Sequence, residues 1–423
     1  MPEKRKDSKG RNLKDGEDQR PDGSYRFRYN DKAGNRQAVY SWKLVPTDKV
    51  PPGKRDGLSL REKEKSIEND IRDGIDGKKA AKLTLNDMFE LYMSGKCDLK
   101  QSTRTHNRYM YNKFVAGELG MRKIDSIKFS DMKRFFNLLI YDRGFKPNTI
   151  HGILTILHPV FTLAVRDGYI RNNPTDGIIS ELKKGGANWE KPKRHALTVE
   201  EQEAFINFVT QSDIYRHWLP LFTVFLGTGC RVSEIIGLRW CDCDFDNLTI
   251  SINHILTYTM QDDGHSEKHI TTPKTAAGYR TIPMLKEVRS ALMQERRRQF
   301  AEGGCKETID GYDSFIFTNS TGSTHLPVSI NQALERIRLA YNTQEAEQAK
   351  KERREPLIIP HFSVHNLRHT FCTRFCENES NVKVIQEVMG HSDISTTMNV
   401  YAEATENAKK ESFSSLEGKI KIS

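Results

Sequence analysis

Val364-His365-Asn366-Leu367-Arg368-His369-Thr370-Phe371, followed by Met389-Gly390-His391-Ser392-Asp393-Ile394-Ser395-Thr396-Thr397-Met398-Asn399-Val400-Tyr401, holds the densest chemistry in this 423-residue chain. On a helix, His365 and Arg368 stand one turn apart and can face a single phosphate. With 13 histidines in an arginine-rich chain, an H-x-x-R pair is not rare by itself. In the second stretch Met389 to Ser392 ends one helix and Asp393 onward starts another, so Tyr401 follows His391 on a new element. A phenol titrates near ~10 and needs a base or a strong cationic field before it can attack.

Upstream, Gly227-Thr228-Gly229-Cys230-Arg231-Val232-Ser233-Glu234-Ile235-Ile236-Gly237-Leu238-Arg239-Trp240 uses turn glycines to deliver Arg231 to a helix start. Arg231 and Glu234 can pair on one face, which fits a structural ion pair as readily as a site. Next come β-rich stretches, Leu248 to Tyr258 and His269 to Pro273, then the turn Lys274 to Arg280 and the run Thr281-Ile282-Pro283. Strand, turn and strand are implied; Lys274 at the tip is either solvated or carried into a neighbouring groove.

Taken together, these residues resemble the tyrosine recombinase and phage integrase family. The family order R…K…H-x-x-R…H…Y is matched by Arg231, Lys274, His365, Arg368, His391 and Tyr401. G-x-R-x-S-E-x-x-x-L stands at Gly229 to Leu238, H-x-L-R-H-T-F at His365 to Phe371, and G-H-S-D-x-S-T-T at Gly390 to Thr397. The resemblance implies that Arg231 and Arg368 clamp the non-bridging oxygens of the scissile phosphate and that Tyr401 attacks it. It also implies that His365 is the general acid/base, that Lys274 protonates the departing 5′-oxygen, and that His391 donates a further hydrogen bond. Reversal by another strand's 5′-hydroxyl would need neither metal, cofactor nor ATP. Tyr401 lies one position further from His391 than in many members.

Outward from these motifs, length and pattern imply a multidomain α+β protein. Residues 1–20 are charged and nearly free of apolar side chains, so they are expected to be a disordered basic tail. Residues 21–78 read as a small β-sheet plus helix. Tyr25, Phe27 and Tyr29 alternate with Arg26 and Arg28, a second run covers Arg36 to Val45, and Ser59 can cap a helix through Ile75. Residues 83–182 read as a helical domain, with Ser102 capping its second helix and Pro159 kinking its fourth. Residues 183–196 form a basic linker, 197–401 a mainly α catalytic domain with a small β-sheet and a capping box at Thr198, and 402–423 a tail. Tyr341 to Arg354 looks inserted and has no assignable chemistry. The succession of domains resembles the arm-binding, core-binding and catalytic parts of conjugative-transposon integrases.

That likeness implies double-stranded DNA as the partner, at both core and arm sites. The contacts expected are Arg26 and Arg28 on the sheet, then Lys96, Lys100, Arg104 and Arg108 near the second helix. Lys146, Asn148, Thr149 and His151 at the fourth helix's start follow, then Lys193 and Arg194 in the linker. Phe413 and Leu416 are expected to anchor the tail on a neighbouring subunit of a DNA-bound tetramer, and a directionality factor is a possible further partner. Lys and Arg outnumber Asp and Glu by 66 to 56, a net charge of +10, which suits a polyanion.

Seven cysteines, an odd number, with no secretory signal, fit reduced thiols in a cytoplasm. No apolar run is expected to reach the ~18 residues that span a bilayer. His369, Cys372 and Cys376 would share one helix face, but no fourth metal ligand has suitable spacing, so no metal is expected. The rival functions are a resolvase of the Xer type, a DNA-binding regulator without catalysis and a metal-dependent nuclease. The extra N-terminal sheet argues against the first, and the filled positions against the second.

Overall fold

A computed structural model describes residues 5–31, 34–75, 77–185, 195–260, 265–273 and 275–414. The chain divides into two compact units, Met1–Lys191 and Pro192–Ser423.

The first unit opens with an antiparallel sheet of β1 (Glu17–Gln19), β2 (Tyr25–Asn30) and β3 (Arg36–Ser41), with Phe27 opposite both Glu17 and Val39. Alternation puts Tyr25 and Phe27 inward, on Leu44 and on Leu60 of α1 (Leu60–Arg72), and leaves Arg28 exposed. Ser59 caps α1 as its sequence predicts, in a reciprocal box with Glu62. The expectation of disorder through residue 20 is overturned for residues 5–20. Asp7 and Glu17 are buried there, held by Arg11 and Arg61 rather than by apolar side chains.

After the short α2 (Gly77–Ala80), α3 (Leu85–Ser94), α4 (Gln101–Tyr111), α5 (Phe129–Asn137), α6 (Pro147–Arg166) and α7 (Ile178–Lys184) build a second core. α4 begins after Lys100, two residues earlier than a Ser102 cap would place it, and has no side-chain cap. Lys183 and Lys184, read as linker, end α7. α6 runs through Pro159 as one helix and is long and apolar enough to cross a membrane, contrary to the expectation from the sequence. Its Ile150, Ile153, Leu157, Val160 and Phe161 are nonetheless buried in this core.

The second unit holds α8 (Val199–Gln211), α9 (Leu219–Thr228) and α10 (Val232–Ile236), then β4 (Cys243–Asp244), β5 (Thr249–Ile252), β6 (Ile255–Met260), β7 (Ser266–Thr271) and β8 (Arg280–Pro283). β4, β5 and β8 form one antiparallel sheet and β6 and β7 a separate hairpin. α11 (Lys286–Glu302), α12 (Pro327–Glu352), α13 (Val364–Asn378), α14 (Val382–Met389) and α15 (Ile394–Ser414) complete it.

A large core joins α8 to α13 with the sheet. A small one around Cys372, Cys376, Ile385, Met389 and Ala404 packs Val400 and Tyr401 of α15. The segment 341–354 is the end of α12, closed by Arg353 in a left-handed conformation and by Arg354 on Glu345. The boundary placed after Tyr401 falls inside α15.

Candidate active site

Two left-handed glycines set the frame. Gly229 ends α9 at φ 59°, and a Cβ there would lie 2.3 Å from Phe371. Gly390 ends α14 at φ 63°, and a Cβ there would lie 2.9 Å from both the Ala277 carbonyl oxygen and the Arg280 guanidinium. At each position only glycine combines that backbone angle with so close a neighbour.

The helix ends carry unpaired carbonyls, and three arginines take them. Arg368, buried on α13, donates to Gly229 O and Met389 O, each at 2.6 Å. Arg231, at the N-cap of α10, donates to Gly390 O at 2.9 Å and to Glu234 Oε1 at 2.8 Å. Arg280 of β8 donates to Val388 O at 2.7 Å and forks onto Glu234 at 3.1 and 2.9 Å. Two guanidiniums thus pair with one carboxylate while Arg368 meets only carbonyls, an excess of two positive charges over these four side chains, of which only Arg231 is substantially open, its side chain 40% exposed.

The electrostatics follow from that excess. Burial alone would raise Glu234, but Arg280 and then Arg231 hold its carboxyl at about 2. Burial, and next Arg231, pull Arg368 down to about 10, which leaves it protonated at neutral pH. Burial, together with Arg368, Arg231, Arg280 and His365, pushes His391 down to about 4, so its imidazole is neutral at pH 7. His391 Nδ1 lies 3.0 Å from the hydroxyl of fully buried Thr397. His365 is exposed on α13, and Tyr401 is half-buried on α15. The arrangement can bind a doubly charged anionic centre and stabilise charge that develops on it.

Of the six residues expected at the site, Arg231, Arg368 and His391 are brought together, with His365 near enough to act on His391. Lys274, Lys193, Arg194 and Leu416 lie outside the described residues, as does the side chain of Phe413. Arg280 and Thr397 were not singled out from sequence; no spacing rule marks a residue whose partners lie 46 and 108 positions away, as those of Arg280 do. Cys372 and Cys376 face the small core and His369 Nδ1 lies 3.4 Å from Thr373 Oγ1. Among the described residues no three His, Cys, Asp or Glu side chains are grouped to hold a metal ion.

Of the residues expected on DNA, Arg104 donates to the carbonyls of Met93 and Lys96 and so ties down the end of α3. Arg108 is paired with Glu90, and Arg26 forks onto Asp18 with Arg28 alongside at 3.7 Å. Lys96 lies over Tyr92, Lys100 is exposed at the N-cap of α4, and Lys146, Asn148 and His151 are exposed at the start of α6 with Thr149 half-buried.

Comparison with known proteins agrees with the geometry. Residues 1–71 match the family model described as the DNA binding domain of tn916 integrase, and residues 195–408 match the phage integrase family. The transposase from transposon Tn916 of Enterococcus faecalis is 36% identical over 407 residues, 96% of this chain and 95% of that protein. The solved Tn1549 transposon integrase in complex with transposon right end DNA is 29% identical with a TM-score of 0.67, covering 79% of this chain and all of that one. A lambda integrase dimer bound to a core site, 16% identical with a TM-score of 0.50 over 75% of this chain and 95% of that one, shares the fold. With its DNA-binding N-terminal domain and its arginine-lined site, this chain belongs to the phage integrase family of tyrosine recombinases.

Proposed function

We propose that this chain inserts and excises a mobile element by cutting and rejoining DNA through a 3′-phosphotyrosine on Tyr401. The observation that carries the reading is the surplus of buried guanidinium charge beside a neutral His391, with Tyr401 packed on the same small core as Met389.

In the proposed reaction the Tyr401 oxygen bonds to phosphorus, its proton passes to His365, and the 5′-oxygen leaves with a proton from Lys274. Arg231 and Arg368 neutralise the two non-bridging oxygens as charge grows on them. In the tautomer that serves this reaction, Nδ1 accepts from the Thr397 hydroxyl, 3.0 Å away, and Nε2 carries the proton as a further donor. Attack by a second strand's 5′-hydroxyl expels the phenol, so the phosphodiester is conserved without metal, cofactor or ATP.

DNA would be held by the N-terminal sheet at arm sites and by the helical domain at core sites. α6 offers an N-terminus without a side-chain cap, flanked by Lys146, Asn148, Thr149 and His151. Lys96 and Lys100 would add backbone contacts, with Arg26, Arg28 and Arg108 after exchange of their carboxylate partners, and Lys193 and Arg194 would track the duplex between domains. We assign Phe413 and Leu416 to docking on the next protomer of a tetramer, a directionality factor to the choice between insertion and excision, and the cytoplasm as the place of action.

The test is a duplex nicked near the crossover point, incubated with protein in EDTA. A denaturation-resistant adduct is expected, with the nucleotide on Tyr401, and none with Tyr401→Phe. An adduct on another residue, or loss of cleavage to chelator, would refute the reading.

A further inference from the structure

We infer that Arg280 is the positioning residue of this site, fixing Arg231 through Glu234 and the turn before His391 through the Val388 carbonyl. The inference rests on the reaction proposed above.

The side chains of Arg280 and Glu234 are 6% and 2% exposed, so both charges are kept from water and each depends on the other. Arg280 forks onto both Glu234 oxygens, at 3.1 and 2.9 Å. Glu234 Oε1 receives Arg231 Nη1 at 2.8 Å, and Oε2 receives the Arg231 backbone N–H at 2.8 Å. One carboxylate therefore holds Arg231 at both its backbone and its guanidinium, and Arg280 holds that carboxylate.

The remaining Arg280 donors reach two further elements. Nε reaches Val388 O of α14 at 2.7 Å, and Nη1 also reaches Gly278 O in the turn before β8 at 3.2 Å. Gly390 is pressed against the same guanidinium, with room for no Cβ. All three Arg280 nitrogens are taken by protein acceptors, Val388 O, Glu234, Gly278 O and Cys230 Sγ, whereas the Arg231 side chain is open. Lysine would keep the charge but has a single ammonium in place of the planar fork.

The test uses the full chain with Arg280→Met, Arg280→Lys and Glu234→Gln. Duplex affinity should stay within about threefold, because Arg280 is not placed to meet phosphate. Single-turnover adduct formation should fall about 100-fold for Arg280→Met and less for Arg280→Lys. The distinguishing readout is a substrate with one non-bridging oxygen of the scissile phosphate replaced by methyl. That centre lacks the charge Arg231 is placed to neutralise, so Arg280→Met should recover most of its lost rate relative to the unmodified chain.

Adduct formation by Arg280→Met within about threefold of the unmodified chain, or loss that the methyl substrate leaves untouched, would overturn the inference. If Arg280→Met fails to fold, the double variant Arg280→Met/Glu234→Met removes both buried charges and is judged by the same two criteria. Should the unmodified chain itself form no Tyr401 adduct, the reaction fails; should it form one while Arg280→Met stays fully active, only the positioning role fails.

Discussion

Arginines meet carboxylates at both ends of the chain, in different proportions. In the N-terminal sheet domain Arg11 lies between Asp7 and Asp48, Arg61 is on Glu17 and Arg26 is on Asp18. Each of these three arginines finds at least one acid, and burial opposed by Arg11 leaves Asp48 well below the usual carboxylate range. In the second unit Arg231 and Arg280 share Glu234, and these two and Arg368 donate to helix-end carbonyls. A carbonyl satisfies a donor without cancelling its charge. The balanced cluster holds a fold together, whereas the unbalanced one keeps a field ready for an anion.

The contrast breaks most sharply at Arg368. Arg368→Met should slow adduct formation on a nicked duplex by about 10²–10³-fold, because it removes charge stabilisation in a site sheltered from water. The thermal midpoint should not fall in proportion, since the lost cation had no acid of its own; a midpoint that collapses with activity would make this cluster structural too. Arg11→Ala should do the reverse. It strands two nearly buried acids and should cost about 2 kcal/mol of stability, read by hydrogen exchange over residues 5–72, with crossover cleavage unchanged.

The smallest effect sharpens the comparison through pH. His391 faces Arg368, Arg231, Arg280 and His365, and takes its proton only near 4, where an unfolded histidine takes it near 6.5. Between those values the unfolded chain binds the extra proton, so stability contributed by His391 is intact above 6.5 and lost as pH falls toward 4. The slope should be at most one proton, about 1.4 kcal/mol per pH unit, and imidazole resonances should titrate near the lower value. A midpoint above 6 would mean that the surplus charge does not reach His391.

Much of the site was legible because its residues stand at local landmarks. Arg231 follows turn glycines, His365 and Arg368 share a helix turn, and His391 follows the glycine that ends α14. Spacing along the chain suffices for such positions. Arg280 acts through partners that only the tertiary fold supplies, so nothing local marks it, whereas Thr397 lies six residues from His391 inside the quoted Gly390 to Thr397 stretch.

The N-terminal segment misled for a related reason. Residues 5–20 carry almost no apolar pattern, and their order comes from ion pairs such as Arg11 with Asp48 and Glu17 with Arg61, 37 and 44 positions apart. Charge density of that kind ordinarily signals an unfolded chain. The carbonyl contacts of Arg104 were equally hidden, because a basic helix face looks the same in sequence whether or not it also meets the carbonyls of Met93 and Lys96.

Among the described residues, the helix bearing Tyr401 packs on a small core of Cys372, Cys376, Ile385, Met389 and its own Ala404, separate from the large core. α14 is moored to the arginines by Val388, Met389 and Gly390, and that mooring stops where His391 begins. Segments with few buried contacts are the first to open in thermal fluctuations. On the proposed reaction, the phenol would be the part of the site free to withdraw and return while the charged cradle stays assembled.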